Sequence, residues 1–474
     1  MYFAFLLGLA VHAFSVTGYP VAGTEGHRVI TAQQMLRDGN WPVPMLFDQP
    51  YGRKPPMHYW LIALSQSVLG ANEFAWRFPS VLASALTTAA CTLACLLWFG
   101  TRGAWACAVA SVGTVALWAQ SRTADIDATH TCASVVCALL ILHLDRARKP
   151  RATLIALAGV MFAVSTLLKV PGNLPLVIGA WLAAVITTQK PNLRPLISAW
   201  RWIPLFTGVV VFAAWLAIAM LYMDRHGIAP DLSGAAEGAG NLVRLIQEPS
   251  RFFEALLLPV LLIVYALPVS LGLFTPLRRD LMPLASDDQR VMIRRLVFAF
   301  IVGVGLLVVV GQTNPRYGYL LLPLLAVLMG AAVELQCRKT PSDKRLVAYL
   351  ALCVAMILVV SILFTQHFKS QHTQRSGVVA AELLKSRLGE GANVTAGWMI
   401  FSQPEILWYA RANVRSPGQR MLTPADLRPQ PQWMLLHPKE LKSLREDLPD
   451  RLEVWDVFPV GKGVCYLVRY EPPK

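Results

Sequence analysis

The chain has 474 residues, of which 55% are hydrophobic and 15% charged. Soluble domains carry about 25% charged residues, and the shortfall here lies in long apolar runs, which excludes a disordered chain and argues against an ordinary cytosolic enzyme. The net charge of +15 does not imply nucleic acid, because the basic residues that orient a membrane protein raise it in the same way.

A spanning helix needs about 20 mostly apolar residues. In chain order, runs of that kind cover residues 2–19, 80–99, 104–119, 128–144, 153–168, 174–188, 203–223, 255–274, 296–310, 320–335 and 346–364. They predict a polytopic α-helical membrane protein with about eleven transmembrane helices, in a range of about nine to thirteen. The first run reads as a helix rather than a signal peptide, because it lacks a basic n-region and a small-x-small cleavage site. The eight cysteines show no metal spacing and read as small core residues.

Alternate loops differ in Lys and Arg content. One set of short loops, from Arg102 to Arg345, holds seventeen such residues and is assigned to the cytoplasm. The other, from Arg28 to Arg316, holds eleven in much longer loops and faces outward. The N-terminus is therefore expected inside, with the first outer loop (20–79), the third loop and the C-terminal tail outside, in a plasma (inner) membrane. Beyond residue 364 the patterning becomes that of a soluble chain: a helix over 376–388, strands over 432–436 and 452–458, a turn at 461–463 and a last strand over 464–470. The expected division is a membrane body over 1–365 and a small outer-face α/β domain over 366–474.

The segment from Gly23 to Pro79 is too long for a plain connection and is crowded with Trp, Pro and charge. Its ordered motifs are Thr24-Glu25-Gly26-His27-Arg28, Gly39-Asn40-Trp41, Lys54-Pro55-Pro56, Tyr59-Trp60-Leu61, Asn72-Glu73 and Arg77-Phe78-Pro79-Ser80. Further on come Ser121-Arg122-Thr123-Ala124-Asp125-Ile126-Asp127, Lys169-Val170-Pro171 and Pro315-Arg316-Tyr317 with Leu322-Pro323. This ordered set resembles the polyprenyl-phosphate-sugar-dependent glycosyltransferases. That is the protein O-mannosyltransferase family, in the glycosyltransferase C superfamily (family 39-like), and especially its lipid A aminoarabinose transferase branch. The resemblance covers the chain to about Gly330.

The resemblance implies transfer of a hexosyl or pentosyl unit from a polyprenyl-phosphate donor to an acceptor hydroxyl or phosphate on the outer face. The acceptor would be a glycolipid, glycan or protein, and the partners are membrane lipid and no nucleic acid. Such transfer needs a carboxylate to take the acceptor proton and cations to stabilise the departing phosphate. The family begins its first loop with Asp-Glu; here Thr24 stands at the Asp. Glu25 is thereby promoted to catalytic base, with Asp127 and Asp125 of the second acidic loop as the other catalytic candidates. Lys54, Arg316, Arg122 and Lys169 are candidates for the donor phosphate, with Thr24, Tyr59 and Tyr317 as further site residues. Arg53 replaces the Glu that commonly precedes Lys-Pro-Pro, which weakens any transfer of metal contacts or lipid A specificity.

Each residue has a plainer reading beside the functional one. Glu25 could be a helix-N-terminal acid, Asp127 an N-cap, Lys54 a snorkelling side chain and Arg316 a helix anchor. His27 and His58 read as polar surface residues, and Trp41, Tyr59 and Trp60 as interfacial aromatics. Carboxylates are available for a divalent metal, but no ligand spacing compels one. Two other functions stay open: a membrane transporter, which would place charges near the bilayer midplane, and a non-catalytic family member, which Thr24 makes tenable.

Overall fold

The computed structural model describes residues 1–146, 150–186, 193–229, 247, 250–266, 269–340, 343–375, 377–416, 420–460 and 463–472. Each of the eleven apolar runs overlaps helix among these residues, although 14–19 of the first run are not helical; 187–188 and 267–268, within two of the runs, lie outside the described residues, as do 376 of the expected helix and 461–462 of the expected turn. The helices α1 (Tyr2–Ala13), α2 (Thr24–Asp38), α3 (Met57–Leu69) and α4 (Glu73–Trp98) are followed by α5 (Thr101–Gly113) and α6 (Val115–Ser121). Next come α7 (Asp127–Leu144), α8 (Ala152–Leu168), α9 (Leu174–Leu182) and α10 (Ala199–Arg225), then the short α11 (Ser250–Ala255) and α12 (Leu258–Tyr265). The long α13 (Asp287–Val309), α14 (Leu322–Lys339) and α15 (Asp343–Arg375) complete the apolar body.

Five of these helices, among the described residues, are long and apolar enough to cross a membrane, or up to seven when bent pairs such as α5 and α6 are each one span. The architecture is that of a multi-pass membrane protein. The α5–α6 pair bends by 61° at Gly113-Thr114, where Thr114 is extended and interrupts the helical backbone. Burial sorts the helices by position. The apolar stretches of α7 and of Pro315–Lys339 are 78% and 83% buried and form the centre, whereas that of α10 is 17% buried and presents its side chains outward. At the centre α5 meets α14 without side chains between them: a Cβ on Gly103 would lie 2.7 Å from the Gly330 carbonyl oxygen, so glycine is required there.

The first outer loop is not irregular. It is built from α2, the small hairpin β1 (Met45–Leu46) with β2 (Gln49–Pro50), and α3. Gly39, at φ +67°, ends α2 as a left-handed cap, and Asn72 starts α4 by accepting the Ala75 amide at 2.9 Å.

The C-terminal region carries α16 (Val378–Leu388), β3 (Asn393–Thr395), the short α17 (Met399–Ser402) and α18 (Pro404–Tyr409), β4 (Asn413–Arg415), β5 (Gln432–Leu436), α19 (Pro438–Asp447), β6 (Leu452–Val460) and β7 (Gly463–Tyr470). The sheet order is β4-β3-β5-β7-β6, with β3 parallel to both neighbours and β7 antiparallel to both of its own. The C-terminal region packs on the outer loop with α18 against α2: Val29, Met35, Tyr59 and Ile62 share one apolar core with Leu384, Ile406, Leu435 and Phe458. Burying each such aliphatic side chain contributes about 1.5–3 kcal/mol, so the C-terminal region and α2–α3 stabilise one another. The boundary expected at 365 falls within α15. The segment 366–375 is polar yet contains no helix breaker, and the helix runs on to Arg375, just before Gly377 at φ +64°.

Candidate active site

Five of the residues singled out in the sequence, from three separate segments, line one cleft of about 420 Å³ together with His372 from a fourth. Thr24 and Glu25 open α2, Asp125 and Asp127 lie where α6 gives way to α7, Arg316 begins a 3-10 turn before α14, and His372 projects from the polar end of α15. Gly23, at φ +58°, lets the chain turn sharply into α2.

Glu25 is 1% exposed and saturated with donors. Arg77 reaches it through Nε at 2.9 Å and Nη2 at 3.1 Å, the Ala124 amide donates at 2.6 Å and the Ala22 amide at 3.3 Å. His372 Nε2 lies 3.4 Å from its Oε2. Burial raises the carboxyl, but the Arg77 guanidinium and the hydrogen bonds from His372 and Arg77 outweigh it and hold the group down at about 2. A carboxylate held so low is a poor proton acceptor. Its geometry instead ties α2, α4 and the second acidic loop together, and the guanidinium also donates to the Val16, Tyr19 and Pro20 carbonyls.

Asp125 and Asp127 form a second centre. Asp125 accepts from the Thr24 hydroxyl at 2.5 Å and from the Ile126 amide at 2.8 Å, and Arg28 Nε stands 3.6 Å away. Burial raises this carboxyl, yet Arg316 and Arg28 drive it well below the usual carboxylate range. Asp127 accepts from Lys169 Nζ at 2.9 Å, and Arg316 bridges the two, with Nη2 on Asp125 and Nε on Asp127. Arg28 is braced by the Tyr59 hydroxyl, to which it donates at 2.8 Å, and Lys169 lies 4.3 Å over the Tyr317 ring. Three cations (Arg28, Lys169, Arg316) thus face two carboxylates, leaving one positive charge for an anionic ligand. Asp127 and Arg316 also line a second, much smaller cavity with Lys169 and Tyr317.

Two candidates stand elsewhere. Arg122 is not brought to the cleft: its guanidinium stacks 3.6 Å over Trp118 and donates to the Phe14, Val11 and Trp118 carbonyls. Its work is to hold α1 against α6. Lys54 is half-buried and within electrostatic reach of His130, which lines the smaller cavity. The surface reading of the two histidines is corrected, because α2 and α3 turn them inward, His58 against the second acidic loop and the start of α7 and His27 against Tyr51. His58 is fully buried and joins Thr129 Oγ1 at 3.1 Å to the Ala124 carbonyl at 3.0 Å, and His27 is buried against Tyr51. Tyr59 is likewise fully buried rather than interfacial. Among the described residues, no group of three His, Cys, Asp or Glu side chains is placed to share a metal ion.

Sequence reasoning gave no role to Arg28, Arg77, His372 or Glu405. Arg28 and Arg77 lie inside quoted motifs, but their partners are set by tertiary contact. Glu405, from α18, accepts the Gly23 amide at 3.1 Å; its Oε2 is buried with no hydrogen-bond partner beside Gly26, where an added Cβ would lie 2.9 Å away. Burial pushes this carboxyl up to about 8, against the opposing hydrogen bonds from its own and the Gly23 amide and with a further push from nearby Glu25.

The comparisons with known proteins bear on this geometry. Residues 53–218 match the family described as dolichyl-phosphate-mannose-protein mannosyltransferase. The chain is 30% identical over 231 residues to undecaprenyl phosphate-alpha-4-amino-4-deoxy-L-arabinose arabinosyl transferase 2 of Pseudomonas fluorescens, covering 48% of this chain and 39% of that protein. It is 35% identical over 205 residues to the corresponding transferase of Pseudomonas aeruginosa (strain LESB58), covering 42% and 35%. The chain thus spans less than two-fifths of the length of these two relatives in its matches. In fold it superposes on the crystal structure of ArnT from Cupriavidus metallidurans bound to undecaprenyl phosphate, with a TM-score of 0.72 over 100% of this chain and 99% of that one, at 16% identity. The apo form gives 0.69. The chain is therefore similar, over these stretches of sequence, to dolichyl-phosphate-mannose-protein mannosyltransferases and to lipid-linked aminoarabinose transferases, and over its whole length it has the fold of ArnT.

Proposed function

We propose that this protein is an integral-membrane glycosyltransferase. It moves a sugar from a polyprenyl-phosphate donor to an acceptor hydroxyl or phosphate on the outer, periplasmic face, with inversion at the anomeric carbon. The observation that carries the reading is the convergence of Asp125, Asp127 and Arg316 on one cleft, with Lys169 paired to Asp127 from the adjoining smaller cavity and a surplus positive charge over the group. These residues come from segments that the Lys and Arg count assigns to the same face. In this reading the membrane body crosses eleven times, the N-terminus is cytoplasmic and the C-terminal α/β region covers the outer face.

The donor phosphate enters beside Arg316 and Lys169, which exchange their carboxylate partners for phosphate oxygens. As the glycosidic bond breaks, negative charge grows on the phosphate, so fixed cations stabilise the transition state more than the ground state. Asp125 and Asp127 keep those cations aimed at the cleft before the donor arrives, and Tyr59 through Arg28 supports Asp125. Lys54 reaches the phosphate from the rim. Incubating purified protein in lipid with a panel of polyprenyl-phosphate sugars, and measuring loss of the sugar from the lipid, tests the reading. Thr24 favours a second one, a protein that binds such a lipid without transferring its sugar; binding without sugar loss would establish it.

A further inference from the structure

We infer that His372 is the group that takes the proton from the acceptor hydroxyl, with Glu25 as the carboxylate that orients it; the inference rests on the transferase reading above. The choice follows from what the other groups of the cleft are already doing. Glu25 receives both arms of Arg77 and two backbone amides, Asp125 receives Thr24, Arg316 and an amide, and Asp127 receives Lys169 and Arg316. When a phosphate draws Arg316 away, Asp125 keeps Thr24, its amide and Arg28.

His372 is differently placed. It lines the same cleft on the half-buried, polar end of α15, and its Nε2 faces Glu25 Oε2 at 3.4 Å. The ring plane is fixed from two sides: it stacks on Phe368 with centroids 4.3 Å apart at 26°, and it meets the edge of Tyr19 at 5.3 Å and 76°. It has no other polar contact among the described residues. A neutral imidazole carries one N–H and one lone pair, so an Nε2–H directed at Glu25 leaves the Nδ1 lone pair for an incoming hydroxyl. This is the base-plus-orienting-group arrangement of activated nucleophiles. Arg77 keeps Glu25 ionised, so the proton stays on the imidazole. The charged and titratable groups around the ring are Glu25 with Arg77 behind it, the Tyr19 hydroxyl, Lys369 one turn back on α15, and Asp125, Asp127 and Arg316 across the cleft.

The step balances as follows. The acceptor oxygen forms its bond to the anomeric carbon while the bond from that carbon to the phosphate oxygen breaks. The bonding pair leaves on the phosphate, toward Arg316 and Lys169, and the acceptor proton passes to His372 Nδ1 and then to water.

The test compares wild type, His372→Phe and His372→Ala in proteoliposomes, with the undecaprenyl-phosphate sugar that wild type consumes. The readouts are kcat, KM for the donor and rate against pH. His372→Phe keeps an aromatic ring between Phe368 and Tyr19, so it separates chemistry from packing. A positioned base contributes about 10²–10⁴-fold, so kcat should fall by roughly that factor while donor KM changes by less than about threefold. The wild-type loss of rate on acidification should be absent from His372→Phe, and added imidazole should restore part of the rate to His372→Ala. A His372→Phe protein with wild-type kcat and the wild-type acid limb overturns the assignment. A wild type that releases no sugar from any donor overturns the transferase reading itself, and this assignment with it.

Discussion

Replacing Glu25 with Gln discriminates between the role its motif implies and the role its contacts describe. The ion pair with Arg77 is almost wholly enclosed, with side-chain exposures of 2% and 0%. Two charge-assisted hydrogen bonds at 2.9 and 3.1 Å are lost or reduced to neutral ones, at about 1.5–3 kcal/mol each. A carboxyl held at about 2 rather than 4.5 gives a second measure, about 3 kcal/mol at roughly 1.4 kcal/mol per pKa unit. Gln retains one carbonyl acceptor and Arg77 keeps its three backbone carbonyls, so about 3 kcal/mol is the expected loss, at the lower end for one-sided removal of a buried charge. The sign in pH follows: the stabilisation is present above about pH 4.5 and fades as pH falls toward 2. Thermal unfolding in detergent, with Glu25→Gln, Arg77→Met and the double variant, measures it. Glu25→Gln should unfold at clearly lower temperature, and the double variant should recover part of the loss. Because Glu25 also orients His372, activity should fall in either case; a Glu25→Gln protein as stable as wild type would refute this reasoning.

Two further substitutions probe the cleft and its cover. Glu405, held at about 8, is protonated in the folded protein at neutral pH, so folding stability should fall as pH rises from about 4.5 to 8, where the unfolded chain ionises this carboxyl and the folded chain does not. Glu405→Gln keeps the acceptor for the Gly23 amide and removes the titration; it should raise the unfolding temperature at pH 8 and give no advantage at pH 5, and equal behaviour at both would refute it. Thr24→Asp would set a carboxylate against Asp125, whose Oδ2 is 2.5 Å from the Thr24 hydroxyl, and neutralise the surplus charge of Arg28, Lys169 and Arg316. Its affinity for polyprenyl phosphate, measured by ligand-induced thermal stabilisation, should fall by about tenfold, the effect of roughly 1.4 kcal/mol; unchanged or tighter binding would refute the charge count.

The membrane body was legible because spanning helices announce themselves locally: residues 80–99 and 128–144 are apolar over enough length to become α4 and α7 whatever surrounds them. Strands β5, β6 and β7 were legible for the same reason, whereas β3 and β4 have three residues each and no period to detect. The site was legible as a set of motifs but not as a geometry. Nothing in the spacing shows that Glu25 meets Arg77, 52 residues on, or that Tyr59 is buried behind Arg28, because both are tertiary contacts, the first of α2 with α4 and the second of α2 with α3. Arg122 is the contrary case: Trp118 lies four residues before it, one helical turn away, and that spacing was a readable signal for the stack that keeps Arg122 out of the cleft. His372 carried no motif, and only the continuation of α15 past the apolar run brings it to Glu25.

The account rests most heavily on Arg316, the one side chain among the described residues that bridges Asp125 and Asp127, facing the place assigned to the departing phosphate. Release of polyprenyl phosphate from a lipid-linked sugar, measured in proteoliposomes for wild type and Arg316→Ala, addresses it directly. Loss of one such contact to a developing phosphate raises the barrier by about 2–4 kcal/mol, so the variant should fold, insert and release product at least about thirtyfold more slowly. Release by Arg316→Ala at the wild-type rate would contradict the account.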